Sequence, residues 1–106
     1  MRNKANCIKY DEVKANLENA GYKVTVLTGA EYVALPDAYP SIMASDLVKY
    51  VYAEKGNDVI KLYFFQTIDI ASYNEDFMFD VDLPVSGQNN EVVYRATKQA
   101  KKDAKI

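Results

Sequence analysis

Histidine and tryptophan are absent from this chain of 106 residues, cysteine occurs once, at Cys7, and only four glycines and three prolines are present. Without histidine there is no Ser-His-Asp or Cys-His constellation and no imidazole metal ligand, which removes most familiar hydrolase and zinc chemistry. A lone cysteine forms no internal disulfide. Cys7 also sits in a polar stretch without an activating partner, so it reads as a bystander in a reducing, cytoplasmic setting. No apolar run of about 18 residues occurs, and no apolar stretch follows the basic start Met-Arg-Asn-Lys, so neither a membrane span nor a signal peptide is expected. Gly21, Gly29, Gly56 and Gly87 are isolated at turn positions and build no phosphate loop, and no internal repeat or low-complexity tract appears.

What the chain has is an ordinary globular balance, 49% hydrophobic and 26% charged residues. That suits one domain over residues 1–106, with 1–9 as a polar arm. The net charge of -2 gives no overall attraction to nucleic acid or to an acidic membrane. Nine of the aromatics are tyrosine and four phenylalanine. Tyrosine is favoured at binding surfaces, because it joins contact area to a polar tip, although single tyrosines also cap core edges with the hydroxyl in water.

The organising stretch is Leu47 to Thr67. Leu47-Val-Lys-Tyr-Val-Tyr-Ala and Val59-Ile-Lys-Leu-Tyr-Phe-Phe65 flank a loop at Lys55-Gly56-Asn57-Asp58, the sequence form of a β-hairpin. Alternation places Val48, Tyr50 and Tyr52 with Ile60, Leu62 and Phe64 on a core face. Leu47, Lys49, Val51 and Ala53 then share the other face with Val59, Lys61, Tyr63 and Phe65. That second face reads either as covered by a helix with lysines at its rim, or as a partner-binding face carried by Lys49, Val51, Lys61, Tyr63 and Phe65. Ser41 to Lys55 also reads as a helix stopped by Gly56.

Around the hairpin, Val13, Leu17 and Ala20 give a helical stripe from an Asp11 cap to Gly21. Tyr22 to Leu27 and Glu31 to Leu35 read as a second hairpin turning at Thr28-Gly29-Ala30, followed by a break at Pro36 to Pro40. Asp69 to Glu75 reads as a loop or short crossover. Asp76 to Leu83 alternates strictly and predicts a strand ended by Pro84. Ser86 to Asn90 is a loop whose asparagines cap a final helix over Glu91 to Ala104, with Val93, Ala96, Ala100 and Ala104 on its apolar side. Its basic face is Arg95, Lys98, Lys101, Lys102 and Lys105. From Glu91 onward five basic residues stand against two acidic ones. Late basic residues also suit the negative end of a helix dipole.

The expected fold is therefore α+β: a small antiparallel sheet of four or five strands with an N-terminal and a C-terminal helix packed on it. Chemistry is sparse. Asp80 and Asp82 on one strand face, with Asp76 and either Asp69 or Glu75 nearby, are the candidates for a hard cation and for metal-dependent phosphoryl transfer, and such alternation equally protects an edge strand. A nuclease order of acidic residue, then acidic-x-Lys, fails, because Asp46-Leu-Val-Lys49 and Asp58-Val-Ile-Lys61 each have one residue too many. Lys61-Leu-Tyr63-Phe-Phe65 has the alternate aromatics of an RNA-recognition sheet but lacks the glycines of that strand motif.

The chain accordingly reads as a non-enzymatic module that binds another protein and needs no cofactor. Such a module suits a phage or mobile-element inhibitor of a host enzyme, such as a CRISPR effector. The alternative is a nucleic-acid binder acting through the basic final helix.

Overall fold

The computed structural model of the protein describes residues 8–78 and 91–106. Helix α1 (Tyr10–Asn19) leads into strand β1 (Lys23–Leu27), and a short helix α2 (Gly29–Val33) follows. Strands β2 (Leu47–Lys55) and β3 (Asp58–Phe65) precede helix α3 (Ile68–Glu75), strand β4 (Val92–Ala96) and helix α4 (Lys98–Ala104). The four strands form one antiparallel sheet in the order β1-β2-β3-β4, so the α+β expectation and the hairpin hold. The helical reading of Ser41 to Lys55 does not, since β-branched and aromatic residues from Leu47 onward pair on both sides in the sheet. No described helix is long and apolar enough to cross a membrane.

The hairpin register corrects the expected faces. Lys55 pairs with Asp58, so the loop is the two residues Gly56 and Asn57. Gly56 alone takes a positive φ there, 61°, the pattern of a type II′ turn with glycine first. A loop of even length joins odd positions of β2 to even positions of β3. Val51 therefore pairs with Leu62 and Ala53 with Ile60 on one face, while Tyr50 pairs with Tyr63 and Tyr52 with Lys61 on the other. A register shift between Leu47 and Lys49 adds one residue, leaves Val48 exposed, and returns Leu47 to the face of Tyr50.

Helices α1 and α4 cover the aliphatic face. Val13 and Leu17 from α1 and Ala100 and Ala104 from α4 pack on Val51, Ala53, Ile60, Leu62, Val92 and Tyr94. Each fully buried aliphatic side chain of this kind contributes about 1.5–3 kcal/mol. Asn16 Nδ2 ties the two helices by donating to the Ala104 carbonyl at 3.1 Å, and the Tyr22 hydroxyl, just before β1, holds α4 by donating to Asp103 at 2.8 Å. Gly21 ends α1 with a φ of 95°, as its position implied, but the N-cap is Lys9 and not Asp11, which lies inside the first turn.

Three other boundaries move. Glu31 to Leu35 is not a strand. Thr28 accepts from the Glu31 amide at 3.1 Å and Glu31 accepts from the Thr28 amide at 2.8 Å, a capping box that starts α2. Asp69 to Glu75 belongs to α3, capped by Thr67. Glu91 to Ala104 is not one helix: Val92 to Ala96 complete the sheet, and α4 begins only after Thr97. Of the expected strand Asp76 to Leu83, Asp76 and Phe77 lie in a turn and Met78 outside any strand, and the remainder lies outside the described residues. So do the loop Ser86 to Asn90, Cys7, Asp80 and Asp82.

Helix α2 sits tightly on the chain that leads into β2. A Cβ on Gly29 would collide with the carbonyl oxygens of Ala44 and Leu47, both backbone atoms. Gly29→Ala should therefore destabilise the domain by more than loss of the adjacent cap in Thr28→Ala, which costs about 1 kcal/mol. Urea unfolding midpoints of the two variants check the order; equal midpoints would mean that α2 shifts freely on the sheet.

Candidate functional site: a tyrosine-lined groove

The described residues cover only half of the second face of the sheet. At the end away from the Gly56 turn, α2, α3 and the connection from Ala34 to Asp46 bury the row Tyr50, Tyr63 and Val93, with Leu27 of the same row half-buried. Buried Asn74 of α3 helps to fix this cover, accepting from Ser41 Oγ at 3.0 Å and donating to the Ile70 carbonyl at 3.0 Å. At the turn end nothing described lies over the next row, Thr25, Tyr52, Lys61 and Arg95. The step between the two rows is an open groove of about 800 Å³. The open row and Val59 give its floor, and Tyr32, Leu35, Asp37 and Tyr39 its wall.

Tyrosine builds the step. The rings of Tyr32, Tyr50 and Tyr63 touch one another, with centroids 4.8, 5.5 and 5.1 Å apart, and Tyr39 reaches Tyr63 at 6.1 Å. Tilted and edge-on pairs of this type contribute about 0.5–1.5 kcal/mol each beyond their burial. The Tyr32 hydroxyl accepts from the Tyr39 amide at 2.8 Å. Tyr50 differs: it is 94% buried, lines the groove, and its hydroxyl has no hydrogen-bond partner among the described residues. Burial pushes the Tyr50 and Tyr63 hydroxyls well above the ordinary 10.0, with the neighbouring Tyr32 hydroxyl acting in the same direction.

The groove's charges are uneven. Lys61 and Arg95 stand directly opposite each other on β3 and β4, and neither forms an ion pair with a described carboxylate. Like charges in this position repel. The nearest acid in the adjoining row, Glu54, accepts from the Tyr52 hydroxyl at 3.1 Å. Among the described residues no group of three acidic, cysteine or histidine side chains could hold a metal ion.

The residues expected to form one partner-binding face are divided between the two faces. Val51 is buried under α1 and α4, and Lys49 lies over the Tyr10 ring of α1 at 3.7 Å, which is a lysine at the rim of a covering helix. Tyr63 and Phe65 are buried on the opposite face, and of the five only Lys61 and Tyr63 line the groove. The basic set is divided too. Lys98, Lys101 and Lys102 lie on α4 and Lys105 caps it, whereas Arg95 belongs to β4 and opens into the groove on the far side of the sheet. Sequence reasoning missed Tyr32, Tyr39, Tyr50, Tyr52 and Arg95 as one site. The Thr28-x-x-Glu31 cap was the signal that would have put Tyr32 on a helix over the sheet.

Two outcomes test this geometry. Tyr50→Phe should change stability by less than about 0.5 kcal/mol, whereas Tyr32→Phe, which removes the acceptor of the Tyr39 amide, should cost about 1–2 kcal/mol; denaturant titration of both reads the difference. A raised tyrosine pKa means that the fold favours the neutral hydroxyl, so its stabilisation is complete below pH 10.0 and is lost as pH climbs further. Tyr22, pushed up to about 12 by burial and by Asp103, should lose its contribution between those limits. Tyrosinate absorbance should show Tyr22, Tyr50 and Tyr63 ionising only as circular dichroism reports unfolding; ionisation of every tyrosine near pH 10 in a folded protein would contradict the packing.

No protein-family model, curated protein or solved structure matches this chain.

Proposed function

We propose that the protein is a non-enzymatic binding module whose working surface is the tyrosine-lined groove and whose ligand is a segment of another protein. The observation that carries this reading is the sheet face that the described residues leave half open, where buried tyrosines form a step beside a row of side chains that no described element covers. A rigid concave surface binds with little ordering cost, and tyrosine supplies contact area together with hydrogen-bonding tips. Inhibition of a host enzyme by a phage or mobile-element protein is a setting that suits a small module acting by occupancy alone.

Nucleic acid is the weaker reading on two grounds. The aromatic residues that a sheet would offer to bases, Tyr63 and Phe65, are buried. Arg95 and the α4 lysines point to opposite sides of the sheet, so they make no continuous basic track.

Affinity capture from a bacterial lysate treated with nuclease tests the proposal, using the wild type, the groove variant Tyr52→Arg and an α4 variant carrying Lys98→Glu and Lys102→Glu. One protein should be held by the wild type and the α4 variant and reduced about tenfold or more by Tyr52→Arg, the effect of blocking the centre of an interface. Capture that survives Tyr52→Arg, or that nuclease removes, would overturn it.

A further inference from the structure

We infer that the groove selects an acidic peptide segment, seating one Asp or Glu carboxylate between Lys61 and Arg95 while apolar neighbours of that residue rest on Leu27, Leu35 and Val59. This rests on the groove being the binding surface. The first ground is the placement of the two cations, directly opposite on neighbouring strands and without a described counter-ion. Such a pair costs stability when the groove is empty, and a carboxylate between the two relieves the repulsion as well as forming charge-assisted hydrogen bonds.

The second ground is hydrogen-bonding capacity. The Lys61 ammonium and the Arg95 guanidinium only donate, and the hydroxyl of buried Tyr50, which lines the same groove without a partner among the described residues, is available to donate as well. Tyr32 and Glu54 already accept, from the Tyr39 amide and the Tyr52 hydroxyl, while Asp37 stands on the wall. Acceptor oxygens of a ligand suit these three donors.

A single carboxylate fits better than a polyanion. Asp37 on the wall and Glu54 in the adjoining row would repel the further charges of a nucleic acid. Tyr32, Tyr50 and Tyr63 spend their rings on one another and are at most 6% exposed, so these three offer no open face for a base to stack upon. Leu27, Leu35 and Val59 give the flanks an apolar character that suits peptide side chains.

The test is selection of random linear peptides displayed on phage against the full chain, followed by synthesis of the selected peptides with blocked termini. They should carry an acidic residue flanked by apolar ones, and Lys61→Glu should weaken them roughly ten- to a hundredfold, the scale of one charge-assisted hydrogen bond. The same variant should bind peptides in which that acid is replaced by lysine. Lys61→Glu turns a repulsive pair into an attractive one, and Arg95→Gln removes the repulsion, so both variants should melt no lower than the wild type.

Peptides without an acid that are lost on Tyr52→Arg but indifferent to Lys61→Glu would overturn the charge assignment and leave the groove as the binding surface. Peptides indifferent to Tyr52→Arg would overturn both. A single-stranded oligonucleotide bound in place of any peptide, and released by Lys61→Glu, would overturn the peptide class in favour of nucleic acid.

Discussion

The two-residue turn at Gly56 and Asn57 fixes the parity of the central hairpin, and nearly every other feature of the molecule follows from it. Side chains alternate along a strand, so slipping the pairing by one residue would exchange the two faces of β3 relative to β2. In the observed register the aliphatic positions Val51, Ala53, Ile60 and Leu62 gather on one side, where two helices can exclude water. Tyr50, Tyr52, Lys61 and Tyr63 gather on the other. The inserted residue near Val48 then lets Leu47 join the tyrosine side despite its odd position, and closes the covered end of that face with an aliphatic side chain.

The two layers obey different packing rules. Beneath α1 and α4 the contacts are aliphatic, and stability comes from burial with few polar obligations. Beneath α2 and α3 three tyrosines, Tyr32, Tyr50 and Tyr63, are buried among apolar side chains, so each hydroxyl must find a partner or reach the groove. Tyr32 solves this by accepting from the backbone amide of Tyr39. Tyr50 solves it by opening into the groove. The same half-cover that leaves room for a ligand is thus what allows a tyrosine core at that end of the sheet.

The hairpin, the buried stripe of α1 and the α+β class were legible because each rests on local periodicity or turn chemistry. Boundaries failed where two local signals compete. Thr28-Gly29-Ala30-Glu31 contains both a turn glycine and a capping box, and the cap prevails because Gly29 must come close to the carbonyls of Ala44 and Leu47. Glu91 to Ala104 merges a β-branched run, Val92-Val93, with a lysine- and alanine-rich one. The change occurs at Thr97, whose hydroxyl donates to Asp58 and accepts from the Val59 amide, tying the start of α4 to the turn end of the hairpin. Lys61 stands out as a candidate on its own strand. Its pairing with Arg95 depends on the β3–β4 register, which no local pattern in either segment encodes.

That register also changes the meaning of the basic C-terminal stretch. As one helix, Arg95 and the four lysines would form a single positive face, explained well enough by the helix dipole. Divided at Thr97, they become two populations with different physics. Lys101 and Lys102 lie in the last turn of α4 and Lys105 at its left-handed cap, where the exposed carbonyls favour them, while Lys98 opens the helix. Arg95 gains nothing from that dipole. It faces Lys61 across the strands and has no described acid beside it. A cation held against another cation at the mouth of a groove is a local cost that the fold itself does not require. A ligand carboxylate seated between the two, as proposed above, would offset that cost.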